Sequence, residues 1–210
     1  TKTFTSQLSV LSQLAIRLAK KRGKVSHIEI EDLEENLERI PDIVEEIISS
    51  KEEKVKQLAK KYKDRHCFFF LGKGMSSAVA LEGKLKLMEI SYIPSLAYPA
   101  GESKHGPISI IEEGVPCIFI CPKGSTHSEI IGSIMEMKAR GARIISICEE
   151  DDENITSLSD DVIYIPKGIP DVLSPIPYII PLQLLSYYIS VKKGLDPDKP
   201  RNLAKSVTVP

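Results

Sequence analysis

The sequence predicts an α/β domain, a parallel sheet flanked by helices in three layers, with an N-terminal helical connector. Two observations carry that prediction. The runs "HCFFFLG", "VPCIFICP", "ARIISICEE" and "DVIYIP" are short, continuously apolar and rich in β-branched and aromatic residues. Such runs suit strands buried on both faces. Helical stretches lie between them, at about 75–91, 126–140 and 174–192, and strand–helix alternation implies parallel pairing with helices on the sheet faces.

The elements follow in order. Residues 1–22 place Leu8, Leu11, Ala15 and Leu18 at helical spacing and end on Lys20, Lys21 and Arg22, a basic last turn that suits a helix C-terminus. A second amphipathic helix, from about Glu31 to Ser49, carries Leu33, Leu37, Ile40, Ile43, Val44 and Ile47, with Pro41 as its expected kink. Residues 51–63, "KEEKVKQLAKKYK", read as a charged surface helix. These helices define a connector over 1–63, ahead of an α/β domain over 64–195 and a tail over 196–210. On helix 75–91 the expected buried stripe is Ala78, Leu81, Leu85 and Met88.

A chain of 210 residues with 42% hydrophobic and 27% charged residues is typical of a globular domain with a sizeable core. The net charge of −1 gives no electrostatic reason to expect nucleic acid or an anionic membrane as partner. No uncharged apolar run is long enough to span a bilayer, and "TKTFTSQLSV" lacks the basic start and apolar core of a signal peptide. The chain begins on Thr1, so the natural start is expected upstream. Cys67, Cys117, Cys121 and Cys148 form no C-x-x-C pair and lie in or beside apolar runs. They are expected to be reduced thiols of a cytoplasmic core rather than metal ligands.

Four places could carry chemistry. In "FLGKGMSSAVALEGKLKLME" a strand runs through Gly72-Lys73-Gly74 into a helix. That turn can present backbone N–H groups to an anion, but it lacks the third glycine of a dinucleotide fingerprint and the spacing of a P-loop, and a bare tight turn needs no ligand. On the helix, Glu82, Lys86 and Glu89 share a face at i, i+4 and i+7. They read either as a surface ion-pair ladder worth about 0.2–0.5 kcal/mol per pair or as a general base with a tuning cation. In "YPAGESKHGP", His105 sits in a loop, as a turn residue or as a group that titrates near neutrality. Glu102 and His105 have E-x-x-H spacing, but no third or fourth metal ligand accompanies them. The tail "PRNLAKSVTVP" spaces Leu203, Ala204, Val207 and Val209 around Lys205, so it is expected to pack. Lys205 is then either a desolvated nucleophile or a lysine whose stem lies on apolar surface with its head in water.

Four stretches, "TKTFTSQL", "ALEGKLKLMEISYI", "AYPAGESKHGPISII" and "IPLQLLSYYISVKKGLDPDKPRNLAKSVTV", closely resemble the glucosamine-6-phosphate synthase family, the glutamine–fructose-6-phosphate aminotransferases. The motifs E-x-KHGP and PRNLAKSVTV are long enough to be specific. The resemblance implies the SIS fold, and identifies the chain as the second of two SIS subdomains that follow a glutaminase domain in the family. It implies that Lys205 forms a Schiff base with the open-chain keto sugar and that Glu89 moves a proton between C1 and C2. It places Lys86 beside that base and Ala204 at the substrate. It implies that His105 assists ring opening in the partner subunit of a homodimer, with fructose 6-phosphate and glucosamine 6-phosphate as ligands and no metal or organic cofactor. Two departures stand out. The Ser/Thr-rich loops that hold the sugar phosphate belong mainly to the first SIS subdomain and have no match here, and Pro210 replaces a usually acidic end. The alternatives are a non-catalytic phosphosugar-binding module and a related SIS deaminase or deglycase.

Overall fold

The computed structural model describes residues 1–203. Five parallel strands, β1 (Phe68–Gly72), β2 (Ser95–Pro99), β3 (Pro116–Cys121), β4 (Arg143–Glu149) and β5 (Asp161–Ile165), lie in the order β2-β1-β3-β4-β5. The side chains of β1 and β3 are buried along their whole length, as the continuous apolar runs require.

Alternation along each strand divides the core. Phe68, Phe70, Ile118, Ile120, Ile145 and Ile147 meet one helical layer, built from α2 (His27–Tyr62), α3 (Met75–Ser91) and α6 (Pro175–Lys192). Phe69, Leu71, Cys117, Phe119 and Cys148 meet the other, built from α4 (His127–Lys138), α5 (Glu153–Leu158) and the 3₁₀ turns Ala100–His105 and Pro107–Ile110. The three-layer expectation holds.

Several expectations are corrected. The two helices expected between 31 and 63 are one 36-residue helix that runs through Pro41. It starts at a capping box in which Ser26 and Glu29 bond reciprocally. Its later half, including Ile47, Val55, Leu58 and Tyr62, belongs to the sheet core, so residues 51–63 are not merely a charged surface helix. β2 was not foreseen. On α3 the stripe is inverted: Ser76, Val79, Ala80, Gly83 and Leu87 are buried, whereas Leu81, Leu85 and Met88 are exposed and so is Ala78. The cause is Gly83, where an added Cβ would stand 2.4 Å from Leu182 Cδ1. That close approach seats α6 on the small-residue side of α3. The helix Lys2–Arg22, α1, packs on α2 and leaves Val10, Leu11, Leu14 and Leu18 exposed.

Candidate active site

α3 brings three charged groups together. Lys86 Nζ donates to Glu89 Oε2 at 2.7 Å and lies 3.7 Å from Glu82 Oε1. The side chains of Lys86 and Glu82 are about 16% and 15% exposed, that of Glu89 32%, so this is not a fully solvated ladder. Lys86 and Glu89 line a cavity of about 440 Å³ together with Ile48 of α2 and Ile180, Gln183, Ser186 and Tyr187 of α6. Pro197 and Asp198, at the start of the tail, and Thr1, at the other end of the chain, also line it. Ser190 Oγ donates to the Ile90 carbonyl at 2.9 Å and pins α6 to the end of α3 beside Glu89.

Chemically, the site offers a carboxylate held by one ammonium in the wall of a largely apolar recess, the arrangement a positioned general base needs. Sequence reasoning missed Gln183, whose Nε2 is buried with no hydrogen-bond partner. The available signal was a lone amide in the apolar run "IPLQLL".

The remaining expected residues are not gathered here. His105 ends the 3₁₀ turn Ala100–His105, exposed and on the α4 side of the sheet, whereas Glu89 lies on the opposite layer. Ala204 and Lys205 lie outside the described residues, as do Val207 and Val209. Leu203, expected to pack, is 55% exposed. The glycine turn closes on itself: Ser76 Oγ accepts from Lys73 N–H at 2.8 Å and donates to the Lys73 carbonyl at 2.9 Å, while Lys73 Nζ pairs with Glu129. Among the described residues no group of three or more His, Cys, Asp or Glu is placed to hold a metal ion, and no helix is long and apolar enough to cross a membrane.

A second polar pair was not foreseen. His127 Nε2 lies 2.6 Å from Asp152 Oδ2, and Asp152 also caps α5 by accepting from Ile155 N–H at 3.2 Å. This joins the starts of two helices, a structural task.

Comparison with known proteins places these residues in context. Glutamine–fructose-6-phosphate aminotransferases (isomerizing) align along the whole chain, at 48% identity in Thermococcus kodakarensis and 44% in Thermus thermophilus. The chain spans about a third of the length of these relatives, 34% in both. The solved C-terminal domain of glucosamine-fructose-6-phosphate aminotransferase from Francisella tularensis superposes with a TM-score of 0.87 at 31% identity, over 95% of this chain and 56% of that one. Glucosamine-6-phosphate deaminase from Thermotoga maritima, at 23% identity and a TM-score of 0.63 over 95% of this chain and 56% of that one, shares the fold. The likeness first read from four motifs therefore extends from end to end. Residues 61–193 match the SIS domain, and the chain belongs to the SIS domain family.

Proposed function

We propose that the chain is the isomerase portion of a glutamine–fructose-6-phosphate aminotransferase, converting fructose 6-phosphate and glutamine-derived ammonia to glucosamine 6-phosphate. The observation that carries this reading is the Lys86–Glu89 pair lining a cavity whose wall includes the start of the C-terminal tail. In this reading the tail delivers Lys205. Its amine adds to the C2 carbonyl of the open-chain sugar, forming C=N as the carbonyl oxygen leaves as water; ammonia then adds to C2 and the lysine amine leaves, so that the C2=N bond now carries the ammonia nitrogen. Glu89 takes a proton from C1 and returns one to C2, and Lys86 steadies the charge that develops. Ala204 contacts the sugar beside Lys205.

His105 and Glu89 sit on elements of opposite layers, the turn Ala100–His105 against α4 and α3 against α6. That supports His105 acting in the partner's site of a homodimer. Upstream SIS and glutaminase domains, phosphate-binding loops supplied by the former, and a cytoplasmic setting complete the proposal. The segment from 1 to 63 would link the two SIS subdomains. A purely binding module would have no use for the cavity-lining Glu89–Lys86 pair.

The test is borohydride trapping of fructose 6-phosphate on the full-length protein. Wild type should trap sugar on Lys205, and Lys205→Ala should not; trapping at the wild-type rate in that variant would remove the lysine from the mechanism. Glu89→Gln should bind and trap sugar while losing isomerisation by at least about a hundredfold.

A further inference from the structure

We infer that Tyr92 is a positioning residue that fastens the C-terminal tail to the helix carrying Glu89; this rests on the proposed role of Lys205. Tyr92 closes α3 three residues after Glu89, with its backbone in the left-handed region at φ 60°. Helices usually place glycine or asparagine there, and a bulky residue holds that conformation only where its surroundings fix it. Here the surroundings include the tail. The backbone N–H of Arg201 donates to the Tyr92 hydroxyl at 2.8 Å, and the Arg201 guanidinium lies 4.1 Å from the ring centroid, well inside the range of a cation–π contact. Asn202 follows, also left-handed at φ 61°, a conformation its short polar side chain tolerates. The chain thus turns at the point where it is clamped.

The clamp changes how far the lysine can wander. Lys205 follows Arg201 by four residues, and four residues of chain reach at most about 14 Å. Without the clamp the last backbone bond back to α6 is from Leu195 N–H to the Ser190 carbonyl, ten residues before Lys205, with a reach of roughly 35 Å. Because α3 carries Glu89 and ends in Tyr92, one helix sets both the base and the tail's point of departure. Holding reactive groups in register is worth orders of magnitude in rate.

The experiment uses the full-length protein with Arg201→Ala, Tyr92→Asn, Tyr92→Phe and Arg201→Lys. Tyr92→Asn keeps a residue suited to the left-handed cap, and Arg201 is exposed, so Arg201→Ala provides a second route should the Tyr92 variant fold poorly. Arg201→Ala and Tyr92→Asn are expected to lower both kcat and the rate of sugar trapping at Lys205 about tenfold or more, with KM within about twofold. Tyr92→Phe and Arg201→Lys, which keep a ring and a cation, should stay within about threefold of wild type. Tryptic cleavage after Lys205 should quicken in the first two variants. The double variant should be no worse than Tyr92→Asn alone, because that change already removes both the acceptor for the Arg201 N–H and the ring beneath its guanidinium.

Wild-type trapping and cleavage rates in Arg201→Ala, or additive losses in the double variant, would overturn the inference. Its failure is separable from that of the Schiff-base reading. If Lys205→Ala still traps sugar at the wild-type rate, the lysine's role falls. Cleavage at Lys205 then decides the clamp alone: faster in Arg201→Ala sustains it, and unchanged overturns it.

Discussion

Glu149 closes β4 with its side chain in the core, 5% exposed. Burial pushes its carboxyl above the usual range, and Asp151 and Asp152 push the same way, while the Gly168 N–H and Lys123 pull against them. Among the described residues its backbone donor is that Gly168 N–H, at 3.3 Å. A carboxyl whose folded pKa is raised weakens the fold above that pKa, and the penalty disappears as pH falls below the unfolded value of about 4.3. Glutamine keeps an acceptor for Gly168 without the charge. Glu149→Gln is therefore expected to stabilise the protein at pH 7 by on the order of 1 kcal/mol, roughly 2–4 °C in Tm. The gain should shrink to nothing near pH 4. Thermal melts of both proteins from pH 4 to 8 provide the check, and parallel curves would show that the carboxylate carries no such penalty.

At the scale of elements, the α3–α6 contact decides which residues face the site. Sequence periodicity pointed to Ala78, Leu81, Leu85 and Met88 as the buried stripe of α3. The larger side chains, Leu81, Leu85 and Met88, are the exposed set. What decides is room: only at Gly83 can Leu182, itself 1% exposed, approach so closely. Gly83→Ala gains about 0.5–1 kcal/mol of helix propensity but forces a methyl into packed side chains, an intrusion that costs about 1–3 kcal/mol. The net expectation is a loss of about 1 kcal/mol with weakened pinning of α6 beside Glu89, measured by urea unfolding; a stabilised variant would refute the packing account. The same competition explains what the sequence could and could not convey. Glu82, Lys86 and Glu89 were legible because helical spacing alone fixes their common face. Gln183 was not, since the cavity it lines is closed by residues of other helices, Ile48 of α2 and Lys86 and Glu89 of α3. β2 was missed because "SLAYP" is five residues with a serine at one end and a proline at the other. The continuity of α2 was missed because Pro41 is tolerated where Ile40 and Ile43 on either side face one core.

For the whole molecule, the four cysteines report on how far the sheet opens as a unit. Cys117, Cys121 and Cys148 are fully buried between the sheet and the α4–α5 layer, and none is paired in a disulfide. Burial, and then the charge of Asp152, pushes the Cys148 thiol up to about 12, so at pH 8 only about one molecule in ten thousand carries the reactive thiolate there. Burial also raises Cys121 well above its ordinary value. Cys67, just before β1, is half-buried and raised as well. Thiol labelling at pH 8 without denaturant should therefore modify Cys67 first. The other three should react only through opening of the domain, with rates that converge on one value and rise with urea as global unfolding does. Labelling of Cys148 as fast as Cys67 in the absence of urea would mean that the α4–α5 layer lifts from the sheet independently. That outcome would divide the core into two cooperative units along its strands; a shared rate that rises with urea in step with global unfolding makes the sheet and both helical layers one.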